Sequence, residues 1–456
     1  MTTATVLPLS SEQYDYLSLG RRGYGAIPVC VRLDGPLDVD LLATAAAHVA
    51  GRHQPLRMRL RPLGDGFGQV FRDPGDPVPI RMHDVVCGAS ALPDALDGLI
   101  AGELDLEGEG PLELHVLPLD GQGSLVVGLL DHLATDGWGS YLFNWELWRS
   151  YRALGRGQRP VLPHLARSYT DHVQDQQRVS ESRSRALGRH WSTIASRFAV
   201  ADNGLPATVP SQPGLGRGDL TAPIDPDHLA RSRQLADALG VSANAVPLAC
   251  LVLAAWSLGE GDSVGLSFIY SGRDTFSVRP LVGVFHRRVP LLVEGLRDCD
   301  VAGLLRKVTA ASFDAVRRSR APYSSRLFAG LLREHDAVSG ISLLYNQIDP
   351  VFGAPRRGAV QGLSDGVTAE FVDSHFLSNR WRGYREQTLR LMVAGGERPT
   401  VQAIYNDGYV AEQQVQAMIA RLAAFISALG PESAGLPLEE FIGTALQGVK
   451  DPSPVG

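Results

Sequence analysis

His132 is the residue of this chain with the clearest capacity for acid–base chemistry. It stands in the stretch Asp131-His132-Leu133-Ala134-Thr135-Asp136-Gly137. A neutral imidazole in a fixed orientation can take a proton from an attacking nucleophile at ordinary pH. Asp136 then has two readings: it orients the imidazole directly, as in a triad, or it pairs with an arginine and holds the loop. Four positions of separation on a turn make the second geometry the easier one. A lone histidine ahead of Asp-Gly is a weak signal, so the elements that must position it carry the case. Leu125 to Leu130 is a continuous apolar run suited to a strand covered on both faces, and Trp138 to Tyr151 is an aromatic helical stretch. The motif is therefore expected on a strand-to-helix loop.

Other patterns compete less well. Gly362-Leu363-Ser364-Asp365-Gly366 fits G-x-S-x-G, but a nucleophile elbow needs a strand before the serine and a helix after it. Val367 to Val372 reads as a strand, so a glycine-rich surface loop is expected instead. No H-E-x-x-H, P-loop or dinucleotide fingerprint occurs, so neither a metal nor a bound nucleotide cofactor is expected. Cys30, Cys87, Cys250 and Cys299 lie far apart and read as buried thiols. The net charge of -6 offers no basic field for nucleic acid, and 44% hydrophobic content over 456 residues can bury a large core. The N-terminus lacks the regions of a signal peptide, and the apolar run from Ala245 to Trp256 is too short to span a bilayer. No membrane association and a cytoplasmic location are the expectations.

Along the chain, Ser10 gives a helix N-cap signal, Leu41 to His53 has helical apolar spacing, and Ile27 to Leu33 and Leu112 to Leu117 alternate as strands do. Tyr169 to Phe198 is polar and helical. Asn203 to Gly218, rich in Gly and Pro, reads as a linker between lobes. The mixed pattern then repeats, with a helix at Ala243 to Leu258, strands at Ser263 to Tyr270, Val289 to Val293 and Ile341 to Tyr345, and a helix at Glu412 to Leu429. The fold class is α/β (α+β), with two lobes of similar size and pattern. The expected division is an N-terminal lobe over 1–175, a C-terminal lobe over 176–430 and a tail over 431–456, with a short helix near Leu438 to Leu446 and no assigned role.

At this point the chain resembles the condensation domains of nonribosomal peptide synthetases, within the superfamily of CoA-dependent acyltransferases. Their His-His-x-x-x-Asp-Gly signature is matched by Asp131 to Gly137, which keeps the second histidine, the aspartate and the glycine. Leu7 to Gln13 is similar to the family's opening segment, and Arg52-His53-Gln54-Pro55-Leu56-Arg57 to its Arg-His-x-x-Leu-Arg stretch. Tyr169, Asp171 and Trp191 fit its inter-lobe helices. Tyr270-Ser271-Gly272-Arg273, then Val282-Gly283-Val284-Phe285 and Pro290-Leu291, match a later segment usually ending Gly-x-Phe-Val-Asn-Thr-x-Pro-Leu. Tyr345-Asn346-Gln347 and Tyr405-Asn406 fall where the family has related residues, so the matches run in family order to about Leu429.

The resemblance implies two chloramphenicol-acetyltransferase-like lobes arranged as a V-shaped pseudo-dimer with a central tunnel. It implies an acyltransferase: a condensation-type enzyme moving an acyl or aminoacyl group from a phosphopantetheine thioester on an acyl or peptidyl carrier protein to a small-molecule amine or alcohol. The product is an amide or ester in natural-product biosynthesis. His132 takes the catalytic role. Asp136 makes a structural salt bridge, with Arg273 the preferred partner and Arg57 the alternative, and Gly137 completes the motif. Asn346 is a tunnel residue by resemblance only. No bound cofactor is implied, since the donor arrives as a carrier-linked or CoA-linked thioester. A free-standing, monomeric enzyme is expected.

Two departures stand out. Asp131 replaces the first histidine and reads as a loop-capping residue facing away from His132. His286-Arg287-Arg288 replaces Val-Asn-Thr, where the two arginines could contact an anionic donor group such as the phosphate of the pantetheine arm, or a carboxylate on the acceptor; His286 and Arg287 are the donor-binding candidates of this segment. Arg317, Arg318 and Arg320 could meet an acidic carrier protein, although a solvated helix face explains them as well. Two rivals remain: an enzyme taking acyl-CoA directly, and a non-catalytic condensation-like module that recruits a partner protein.

Overall fold

The apolar run at Leu125 to Leu130 becomes a central strand, and the sheet built around it delivers the motif. A computed structural model describes residues 5–18, 25–84, 88–100, 102–120, 123–202, 204–205, 218–320, 325–335, 342–348, 360–364, 367–372, 388–394 and 399–449. The first strands are β1 (Leu7–Pro8), β2 (Ala26–Asp34), β3 (Met58–Leu63), β4 (Gly66–Phe71), β5 (Ile80–Met82), β6 (Leu112–Leu119) and β7 (Gly123–Asp131). Then come β8 (Gly218–Pro223), β9 (Ser263–Tyr270), β10 (Arg287–Glu294), β11 (Ser342–Ile348), β12 (Val360–Ser364), β13 (Val367–Val372), β14 (Thr388–Ala394) and β15 (Thr400–Tyr405). The helices used below are α1 (Ser11–Ser18), α2 (Val39–Arg52), α3 (Gly88–Ile100), α4 (Gly137–Gly155), α5 (Tyr169–Phe198), α6 (Pro226–Leu239), α7 (Ala245–Trp256) and α8 (Val301–Arg318).

The chain divides into two compact units. Unit 1 takes residues 1–180, 271–286 and 351–383; unit 2 takes 181–270, 287–350 and 384–456. This interleaving differs from the single boundary near residue 175, and its cause is strand pairing. β13 lies antiparallel to β2, with Val372 opposite Cys30 and Thr368 opposite Asp34, so a late segment extends the first sheet. The tail from Pro431 also belongs to unit 2: Leu438 N–H donates to the Cys299 carbonyl at 3.0 Å, and Phe441 is buried.

Unit 1 holds a six-stranded sheet of order β12-β13-β2-β7-β6-β5 and a small sheet β1-β4-β3. Side chains of β7 alternate between two cores. Val126 and Leu130 join α2 and α4 through Leu42, Val49, Phe143 and Trp148, while Leu125, Val127 and Leu129 join Leu96 and Ile100 of α3. Burial on both faces is why this strand reads as continuously apolar, and each such side chain contributes about 1.5–3 kcal/mol. The C-terminal end of β7 is held on both sides, since Ala26 lies opposite Asp131 and Asp131 N–H donates to the Pro111 carbonyl at 2.8 Å. His132 therefore follows a strand end with little freedom to move.

Unit 2 holds a second six-stranded sheet of order β10-β9-β11-β14-β15-β8, in which β11 runs parallel to both neighbours. Its core packs α7, whose residues Ala245 to Ala255 are all buried, against the helix Glu412–Ala428. The apolar run that composition could mistake for a span is thus a 12-residue core helix, and among the described residues no helix is long and apolar enough to cross a membrane.

Candidate active site

The loop from His132 to Asp136 joins β7 to α4, as expected for the motif. It is held from below by α1. Ser10 and Gln13 form a reciprocal cap at the start of that helix, and Gln13, fully buried, donates from Nε2 to the Leu133 carbonyl at 2.9 Å. Asp131 Oδ1 accepts the Leu133 N–H at 2.8 Å, the short-range capping bond an aspartate makes in a turn. Its expected capping role is what the geometry displays.

His132 Nδ1 lies 2.9 Å from the Thr135 carbonyl oxygen, which can only accept. Nδ1 therefore carries the proton, and Nε2 is the acceptor atom of the neutral ring. The Tyr16 ring from α1 stacks on the imidazole, with centroids 4.1 Å apart and planes 22° apart. His286 meets the same imidazole in a T-shaped contact at 5.4 Å and is hydrogen-bonded through Nε2 to Tyr16 Oη. Burial, reinforced by the charge that His286 would bring, pushes the His132 pKa down from 6.5 to about 3. The ring is a neutral hydrogen-bond acceptor throughout the physiological range.

That depression has a consequence for acid stability. Below about pH 6.5 the unfolded chain binds a proton at His132 that the folded protein refuses, so stability falls as pH drops from 6.5 toward about 3. In thermal melts from pH 7 to 5, His132→Asn is expected to lose less midpoint temperature than the parent. A variant curve as steep as the parent's refutes this.

Asp136 is anchored elsewhere. Oδ1 accepts Arg273 Nη2 at 2.9 Å and the Gly139 N–H at 2.7 Å, which caps α4; Oδ2 accepts the Phe285 N–H at 3.0 Å. Burial pushes this carboxyl up, but Arg273 and the donated hydrogen bonds more than offset it and hold it below its ordinary value. Arg273 also donates through Nη1 to the Val278 and Leu281 carbonyls at 2.9 and 2.8 Å, and lies over the Phe285 ring. The alternative partner, Arg57, spends its guanidinium on the Ala50 and Arg72 carbonyls. Gly137 opens α4, where a β-carbon would meet nothing within 4 Å. Gly272 has φ of 68°, and a β-carbon there would fall 1.8 Å from the Phe285 carbonyl oxygen, so only glycine lets these two strands of chain approach.

His53 supports the same segment. Its Nδ1 accepts the Val282 N–H at 3.2 Å while Nε2 donates to Glu146 on α4 at 3.0 Å, pinning residues 282–286 to the helix that follows the motif.

Of the residues expected from sequence, His132, Asp131, Asp136, Gly137, Arg273 and His286 all fall in unit 1 around this loop. Arg287 opens β10 in unit 2, is buried, donates to the Ser319 carbonyl at 3.1 Å and lies over Tyr270, a structural use inside that unit. Asn346 sits on β11 opposite Met392, and its side chain lies outside the described residues. Of the G-x-S-x-G pattern, Gly362 to Ser364 end β12, which pairs antiparallel with β13 from Val367; Asp365 and Gly366 lie outside the described residues. Sequence reasoning missed Tyr16 and Gln13 as parts of the site. Gln13 closes the opening segment that resembles the family, which is a signal for it; Tyr16 lies three residues beyond that segment on the same helix and carries no such signal.

Comparison with known proteins agrees with this architecture. The family model described as Condensation domain matches residues 5–338. The dimodular nonribosomal peptide synthase of Bacillus subtilis (strain 168) is 25% identical over 298 residues, covering 63% of this chain and 12% of that protein. The chain spans between 2% and 12% of the length of the first such curated relatives. The first condensation domain of the calcium-dependent antibiotic synthetase, solved with a substrate analogue, has a TM-score of 0.71 at 18% identity, covering 96% of this chain and 98% of that one. The X-domain solved in complex with OxyB from teicoplanin biosynthesis has a TM-score of 0.73 at 18% identity, covering 97% and 96%. The expected α/β (α+β) fold of chloramphenicol-acetyltransferase type is the fold of these structures. With a family model matched over most of its length, the chain belongs to the Condensation domain family.

Proposed function

We propose that this protein is a condensation-type acyltransferase. It moves an acyl or aminoacyl group from a carrier-protein phosphopantetheine thioester to an amine or alcohol, forming an amide or ester. The observation that carries the reading is the His132 ring: its Nδ1 proton is committed to the Thr135 carbonyl, which makes Nε2 the acceptor atom. The attacking nitrogen or oxygen bonds to the thioester carbon, its proton passes to His132 Nε2, the carbon–sulfur bond breaks, and the proton leaves with the thiol. Because the imidazolium is disfavoured in this site, His132 aligns the nucleophile's lone pair as well as handling its proton. Asp136 serves as structural anchor. Of the two donor-side residues read from sequence, the reading retains His286, whose ring touches His132, and not Arg287.

A second reading has its own support. Asp131 stands where the family signature has a histidine, and the fold is shared with an X-domain solved in complex with another protein. On that reading the chain recruits a partner and transfers nothing. Intact-mass measurement separates them: acyl-loaded carrier protein, and acyl-CoA at equal concentration, are incubated with candidate amines and alcohols. Loss of the acyl mass from the carrier with matching product is expected. Loss only from acyl-CoA selects the CoA-dependent rival, and no loss from either donor overturns the enzymatic reading.

A further inference from the structure

The geometry assigns Tyr16 and His286 to one unit, a hydrogen-bonded aromatic clamp that fixes the His132 ring and sets which of its nitrogens meets the reacting group. The inference deepens the reading of His132 as the acting residue and makes Tyr16 and His286 positioning residues. Three rings define the clamp. Tyr16 lies against the face of the imidazole at 4.1 Å, and His286 stands edge-on at 5.4 Å from both Tyr16 and His132. The Tyr16 Oη to His286 Nε2 hydrogen bond closes the triangle across 270 residues of sequence.

Each member is held from its own side. Tyr16 sits on the helix whose Gln13 grips the Leu133 carbonyl, and His286 follows Phe285, whose N–H is bound by Asp136. A face contact blocks tilting of the imidazole and an edge contact blocks its rotation, so the bond to Thr135 keeps its direction. The ionisable groups around His132 are Tyr16 from α1, His286 from the segment 271–286, Asp136 with its partner Arg273, and Asp131 at the end of β7. Asp136, paired with Arg273, raises the proton affinity of His132 less than His286 lowers it, so His286 is the stronger of the two charged neighbours. Burial beneath the two rings agrees with the low proton affinity of the imidazole.

The test needs no turnover, so its failure is distinct from failure of the proposed function. Long-range proton–nitrogen spectra of protein labelled in histidine read the tautomer and titration of each imidazole. In the parent, His132 is expected as the Nδ1–H tautomer, neutral to about pH 4. Tyr16→Phe and His286→Phe keep the rings but remove the hydrogen bond, which preserves packing volume. His286→Phe is expected to raise the His132 midpoint by removing the neighbouring charge, and both variants are expected to mix its tautomers. The double variant is expected to go no further than the larger single effect, as for residues acting together. His53, bonded to Glu146, reports an intact unit 1 in every variant. An unchanged His132 tautomer and midpoint in both single variants, or a double variant equal to the sum of the singles, overturns the clamp.

Discussion

Replacing His132 by alanine is expected to cut acyl transfer by roughly 10²- to 10⁴-fold, the range associated with losing a positioned acid–base group. The loss falls on kcat, since the ring acts on the nucleophile and not on the carrier-linked arm of the donor. The apparent KM for the donor changes little. Thermal midpoint and carrier binding are expected to remain near those of the parent at neutral pH, because His132 is neutral there and its hydrogen bond to Thr135 is local. Turnover equal to the parent's, measured with both substrates at saturation, removes His132 from the mechanism. If transfer is absent in both proteins while a partner is still retained, the recruitment reading takes over.

The largest loss of stability is expected at the Asp136–Arg273 pair. Both side chains are almost wholly buried, so removing one leaves the other charged without its counterion, a change that costs about 3–5 kcal/mol. Asp136→Ala also strips the Gly139 and Phe285 N–H groups of their acceptor, uncapping α4 and releasing the segment that carries His286. A fall in thermal midpoint on the order of 10 °C follows. Arg273→Ala is expected to be comparably damaging, because the Val278 and Leu281 carbonyls lose the donor that folds their turn. The double variant is expected to be less harmed than the sum of the singles, since no isolated charge remains. The carboxyl's depressed pKa adds a sign: its stabilisation is present above 3.8 and is lost as pH falls below that value, so Asp136→Asn flattens the acid limb there. An Asp136→Ala protein within about 1 kcal/mol of the parent contradicts the anchoring role.

Much of the fold was legible because its signals are local. Helix Tyr169–Phe198 and strand Ser263–Tyr270 run where periodicity placed them, and the motif lies between β7 and α4 as apolar run, turn and aromatic helix required. The separation of Asp136 from a triad role was also readable, as four intervening positions on a turn favour an anchor over an orienting contact. The choice between Arg273 and Arg57 was not readable from spacing. It depends on which guanidinium reaches the carboxylate in three dimensions: Arg273 does so across 137 positions, while Arg57 is consumed by the carbonyls around it. The interleaving of the compact units was not readable for the same reason, since β13 joins β2 across the chain and carries a late segment back into unit 1.

By itself, the sequence determined part of the secondary structure, including the strand, turn and helix around the motif, together with the two-lobed pattern and the identity of His132 as the residue able to handle a proton. Hydrophobic period and capping act within a few residues, so they survive in one dimension. Only the tertiary structure decided that Tyr16 and His286 close around His132, that Arg287 works inside unit 2, and that the imidazole is held neutral. Those outcomes arise from contacts between distant segments and from the desolvation that their packing imposes, neither of which leaves a trace in spacing.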